Sequence, residues 1–125
     1  MQGNPEVIDY LNFLLAGELA ARDQYFIHAR LYDEWGYTRL HERIHHEMHD
    51  ETEHASLLIS RILLLGGMPK MKAADLHIGH DVPSMLSNDL QVELRVQGEL
   101  KKGIALCERN QDFVSRNLLL AQLKD

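Results

Sequence analysis

Cysteine occurs once, at Cys107, so no internal disulfide framework can hold this chain together, and a reducing cytoplasm is the expected compartment. No run approaches the roughly 20 apolar residues of a membrane span. The start, Met1-Gln2-Gly3-Asn4-Pro5, lacks the basic and then apolar stretches of a signal peptide. Only 3 Pro and 8 Gly are present, no segment is of low complexity, and neither a strand pattern nor an internal repeat stands out. Positive charge is in deficit: 13 Lys and Arg against 19 Asp and Glu leave a net charge of −6. That balance argues against nucleic acid or an anionic membrane as partner. It suits a protein that handles cations, although many inert proteins are as acidic.

What is present is one domain, residues 1–125, with 45% apolar residues, long enough to close a single core. Asn4-Pro5-Glu6 reads as a helix start: a capping Asn, Pro at the first position and an acid in the first turn. Leu11, Leu14, Glu18, Ala21, Tyr25, Ala29 and Tyr32 then recur at spacings of three and four, the mark of an amphipathic helix. Trp35-Gly36 ends it. A second helix starts near Thr38, carries Leu40, Ile44, Glu47, Glu51, His54, Leu58, Ile62 and Leu65 on its stripe, and stops at Gly66-Gly67. After a loop holding Pro69, Gly79 and Pro83, Asp81-Val82-Pro83 opens a third helix. Its expected stripe is Leu86, Leu90, Glu93, Gln97, Leu100, Ile104 and Cys107. Asn110-Gln111 breaks it, and Asp112 caps a fourth with Val114, Leu118 and Ala121 inward.

Loop lengths give the topology. Short connections make the first and second helices antiparallel, and likewise the third and fourth. The second helix, about 28 residues, is roughly 42 Å long. The loop after it, about 15 residues, reaches roughly 50 Å when extended. It can therefore return along the whole bundle and set the second and third helices parallel. The expected fold is all-α, a ferritin-like four-helix bundle with one long crossover.

Chemistry concentrates on the stripes. Glu51-x-x-His54 lets a carboxylate and an imidazole share one metal, because residues three apart on a helix face the same way. Alone the motif is weak: ten Glu and eight His give about 0.6 such pairs by chance. A second pair, Glu42-x-x-His45, does occur, but off the stripe, where a solvated helix face explains it. Glu51 and His54 lie on the stripe, where ionised groups must be paired or bind metal. Glu18 and Glu93 occupy core positions on two other helices, also near mid-helix, so the topology places all four at one level. Three helices aiming carboxylates at one buried point is a di-metal pattern. The competing explanations are buried ion pairs, for which the stripes offer no Lys or Arg, and helices rotated so that these faces are wet. Tyr25 lies two turns from Glu18 and either donates a hydrogen bond near the metals or is a core tyrosine. His46 and Asp50 are one turn apart, and His41, His45 and His49 form a ladder of a kind that picks up metals adventitiously.

Several segments together resemble a bacterioferritin over the whole chain. They are Met-Gln-Gly-Asn-Pro-Glu-Val-Ile at the start, Asp-Gln-Tyr-Phe-Ile-His-Ala-Arg ending at Arg30, Trp35-Gly36, His46-Glu47 with Glu51-x-x-His54-Ala55, and Asp112-Phe113-Val114-Ser115-Arg116. The resemblance implies a hollow shell of 24 subunits, a homo-oligomer or one mixed with other chains, that oxidises Fe(II) with O2 or peroxide and stores a ferric mineral. By position, Glu18, Glu51, His54 and Glu93 match ferroxidase ligands, Glu51 and Glu93 as bridging carboxylates. Tyr25 matches the tyrosine beside that centre, and His46 with Asp50 an inner-surface iron site of some members.

This sequence departs from the family twice. Thr52 stands where a methionine within Glu-x-x-His holds haem between two-fold-related subunits, and Met48 is one turn, about 6 Å, away. The resemblance is therefore to haem-free companion subunits, with no haem ligated by this chain alone. The family's second Glu-x-x-His would begin just after Lys124-Asp125. The expected fourth helix is thus short, the fifth absent, and the di-iron site incomplete, unless Asp125 substitutes. Either the chain is a ferroxidase whose site is completed from elsewhere, or it is a non-catalytic companion in a shell. A small peroxidase of the rubrerythrin kind lacks support, since no rubredoxin-like cysteine pair is present. The ligand set alone would accept manganese or zinc as well as iron.

Overall fold

The computed structural model describes residues 2–125; Met1, the first residue of the opening segment, lies outside the described residues. Four helices follow one another: α1 (Pro5–Glu34), α2 (Thr38–Leu64), α3 (Val82–Arg109) and α4 (Phe113–Lys124). Their starts are set by side chains that satisfy otherwise orphaned N–H groups. Asn4 accepts from the Glu6 N–H at 2.8 Å, Asp112 accepts from Ser115 N–H, and Asp81 and Ser84 form a reciprocal capping box. Gly36 and Gly66, at φ 81° and 85°, supply the left-handed residue that lets the chain leave α1 and α2. Between α3 and α4 that role falls to Gln111 at φ 58°, a conformation costing a non-glycine residue about 1 kcal/mol.

Hydrogen bonds between elements fix the directions. The Gly3 N–H donates to the Leu65 carbonyl at 2.7 Å, so α2 ends beside the start of α1. From there the crossover climbs α1 in the direction of its own chain. Asn12 grips Met68 and Lys70, Gln24 grips His77, and His28 grips Gly79. The loop thus reaches the far end of α1 before α3 begins, and α3 returns to leave Asn110 bonded to Asn4 at 2.8 Å. α2 and α3 are therefore parallel, as the loop length requires. α4 turns back along α2, with Asp112 at Arg61 and Gln122 donating to the His54 carbonyl.

Two apolar clusters fill the interior. One gathers Leu11, Leu14, Leu15, Leu58, Ile62, Leu100 and Leu119; the other gathers Ala21, Tyr25, Ala29, Tyr32, Ile44, Met85 and Val92. All seven expected stripe residues of α1 are buried. In α3 the expected stripe is wrong over its first half. Leu86, Leu90 and Glu93 are exposed, while Met85, Asp89 and Val92 face inward, and the two patterns rejoin only at Leu100. The cause is a charged residue in the core: Asp89 is buried because α1 supplies partners for it, and a pattern of apolar letters misses that. The same error of one residue occurs in α4. Ser115, Leu119 and Gln122 are buried in place of Val114 and Ala121, because Arg61 and Asp112 bond Ser115, and Gln122 reaches a backbone carbonyl. α4 has 12 residues, about 18 Å, so it lies against only part of α2 and of the 28-residue α3. No described helix is long and apolar enough to cross a membrane.

Candidate metal centre

Midway along α1 and α2, Glu18, Glu51 and His54 each offer one ligand atom, and these atoms lie within 4.8 Å of one another. Glu18 faces inward because it continues the stripe of Leu11 and Leu14, and it is only 1% exposed. The His54 Nδ1 lies 3.6 Å from Glu18 Oε2 and 3.9 Å from Glu51 Oε2. Both Glu18 oxygens and Glu51 Oε2 are buried without a hydrogen-bond partner. No Lys or Arg among the described residues pairs with Glu18; the basic group beside it is His54 itself. Unpartnered carboxylate oxygens facing one point have the chemistry a divalent cation satisfies, and the residues fit such an ion.

The sites expected from sequence separate into two groups. Glu18, Glu51 and His54 converge. Glu93 lines the same cavity of about 190 Å³ but is exposed at its edge and stands outside the tight group. Partial desolvation, then Glu47 and Asp89, push its carboxyl above the ordinary range, with Arg43 opposing. Tyr25 also lines the cavity and is 1% exposed; burial, reinforced by Glu93 and other carboxylates, holds its hydroxyl protonated. His46 and Asp50 sit 3.5 Å apart on the outer side of α2, with Asp50 at the cavity wall. Glu42 and His45 are exposed, in keeping with a solvated face. Thr52 is exposed too, and its hydroxyl donates to the Met48 carbonyl of its own helix.

Sequence reasoning missed two features. Arg43 lines the cavity beside Glu47, at 3.5 Å, as the one Lys or Arg among several carboxylates. Its i,i+4 spacing to Glu47 was the available signal. The second is a buried polar group on α1 and α3. Asp89 Oδ1 accepts from Gln24 Nε2 at 2.9 Å and lies 2.9 Å from His28 Nδ1, and His28 Nε2 accepts the Gly79 N–H. Gln24 and His28 are one turn apart on α1, but no spacing points from them to Asp89, more than sixty residues later.

His54 also meets the far end of α4, its Nε2 lying 2.7 Å from Asp125 Oδ2. Burial by itself would lower the imidazole's pKa, but the Glu18 and Asp125 carboxylates outweigh it and raise it from 6.5 to about 9. A folded-state pKa above the unfolded one contributes stability that is complete below pH 6.5 and vanishes as pH rises through 9. Metal-free protein in chelator should accordingly lose about 2–3 kcal/mol between those values. Melting curves at pH 6.5, 8 and 9.5 check this, since His54→Gln should flatten the dependence. An equally steep loss in that variant would assign it to other groups.

A family model described as a ferritin-like domain matches residues 8–125. Among curated relatives, a bacterial ferritin of Neisseria meningitidis is 66% identical over 125 residues, all of this chain and 81% of that protein. A bacterial ferritin of Pseudomonas aeruginosa is 62% identical over the same shares of each. A bacterioferritin of Streptomyces coelicolor is 41% identical over 126 residues, covering all of this chain and 75% of its own.

Proposed function

This chain belongs to the ferritin-like domain family, and from that premise we propose that it serves intracellular iron storage and detoxification as a bacterioferritin-type subunit. Fe(II) is its substrate. Glu18, Glu51 and His54 take the first ion, and Glu51 with Glu93 would bridge to a second. Two Fe(II) ions held this way would each give one electron, reducing O2 to hydrogen peroxide or hydrogen peroxide to water with the uptake of two protons, and the ferric product would pass to a mineral inside a shell of 24 subunits. Tyr25 stands beside the site as a protonated hydrogen-bond donor, and His46 with Asp50 offers an iron station on the shell's inner surface. Haem has no ligand at Thr52, so none is held by this chain alone.

The observation that carries this reading is Glu18, 1% exposed with neither oxygen partnered, facing Glu51 and His54. A leucine would serve a purely structural helix better at that position. One observation favours a second reading, a non-catalytic companion: Glu93 lies exposed, leaving three convergent ligands where a di-iron site needs more.

Stopped-flow oxidation of Fe(II) in air separates the two. A working ferroxidase gives a fast phase saturating near two irons per chain, about the capacity of one di-metal site, and Glu51→Ala abolishes it. A rate equal to the variant and to protein-free buffer would leave the companion role.

A further inference from the structure

His41, His45 and His49 recur every four residues along α2, so they rise one above another on a single face. Their rings are neighbours: centroids 5.7 Å apart for His41 and His45, and 4.9 Å for His45 and His49. This face is not the one that carries Glu51 and His54. His46, the other nearby imidazole, is engaged with Asp50 instead.

The second observation concerns His41, which is half-buried and has its Nδ1 2.9 Å from the Ala29 carbonyl oxygen of α1. A carbonyl only accepts, so Nδ1 carries a proton, and in the neutral ring the lone pair lies on Nε2. Metal-binding histidines are held in this way, one ring nitrogen donating to a backbone carbonyl and the other left free to ligate. α1 thus fixes the tautomer and orientation of one ring, and the helix repeat places a second ring within reach.

We propose that His45, together with His41 or His49, forms a second metal site, independent of the carboxylate centre, for a late first-row divalent cation such as Cu(II) or Zn(II). Imidazole donors without a carboxylate among them suit these ions, bind Fe(II) less tightly, and suit Mg(II) or Ca(II) poorly. His45 is common to both ring pairs, so the ladder takes one ion per chain.

Cu(II) added below one equivalent to the metal-free full chain, read by electron paramagnetic resonance, tests this. The expected spectrum shows hyperfine structure from at least two imidazole nitrogens. Glu51→Ala keeps it. His45→Ala, which alters only an exposed side chain, removes it and lowers Zn(II) affinity at that site by roughly tenfold or more, since the chelate is broken. An unchanged spectrum and stoichiometry in His45→Ala would overturn the site. So would loss of the signal in Glu51→Ala, which would put the copper on His54, or in His46→Ala, which would put it on the neighbouring pair.

Discussion

Asp89→Ala should lower the unfolding free energy by about 3 kcal/mol, because it strips a buried polar group of its shared acceptor. Asp89 is 5% exposed, accepts from Gln24 and lies 2.9 Å from His28 Nδ1, and these two in turn hold the backbone N–H groups of His77 and Gly79. The His28 Nε2 accepts from the Gly79 N–H, and its Nδ1 faces Asp89. Without the carboxylate, two fully buried side chains lose a partner, and the crossover loses its attachment near α3. The melting temperature should fall by roughly 10 °C, and limited proteolysis should cut between residues 70 and 77 earlier than in the parent. Asp89→Asn, which keeps an acceptor for Gln24, should lose less than half as much. A change within 0.5 kcal/mol for Asp89→Ala, measured by urea unfolding, would show that apolar contacts alone dock the loop, since that is the usual size of a surface substitution.

Glu18→Leu should act in the opposite direction on the metal-free protein. The carboxylate is 1% exposed, has no hydrogen-bond partner for either oxygen, and lies 3.6 Å from His54. At pH 9.5, where His54 has lost its proton and Glu18 is an unpaired buried carboxylate, replacing it with an apolar side chain of similar size should stabilise the apo protein by about 1–3 kcal/mol; at pH 6.5 the change also removes a partner of the His54 imidazolium, and that gain should disappear. The same change should remove the stabilisation conferred by Fe(II) under anaerobic conditions, or by Zn(II), lowering that affinity about a hundredfold. Both come from thermal melts with and without metal, since a ligand that binds only the folded state raises its stability by mass action. Gain in the apo state with loss of the metal effect is the signature of a site kept for binding at the expense of stability. Destabilisation in both states would instead assign Glu18 a structural role with His54.

The helices, their ends and their order were legible in the chain itself. Asn4, Asp81 and Asp112 are cap residues whatever surrounds them, and Gly36 and Gly66 stop helices for reasons local to the backbone. The parallel course of α2 and α3 followed from loop length, a matter of reach. The stripe of α1 was also right throughout, Glu18 included, because an acid repeating in phase with Leu11, Leu14 and Ala21 has one inward direction available. The inward face of α3 was not legible. Asp89 becomes a core residue only when Gln24 and His28, more than sixty residues earlier, come to meet it, and the exposure of Leu86, Leu90 and Glu93 follows from that rotation. The grouping at the site divided along the same line. Glu51 and His54 share one helix, and their pairing is fixed by the 3.6-residue turn. The convergence of Glu18 with them, the standing of Glu93 at the edge, and Arg43 facing the carboxylates were decided by how the helices pack. Local spacing is set by backbone geometry that the sequence carries with it; distances between helices depend on side-chain partners that exist only once the chain has folded.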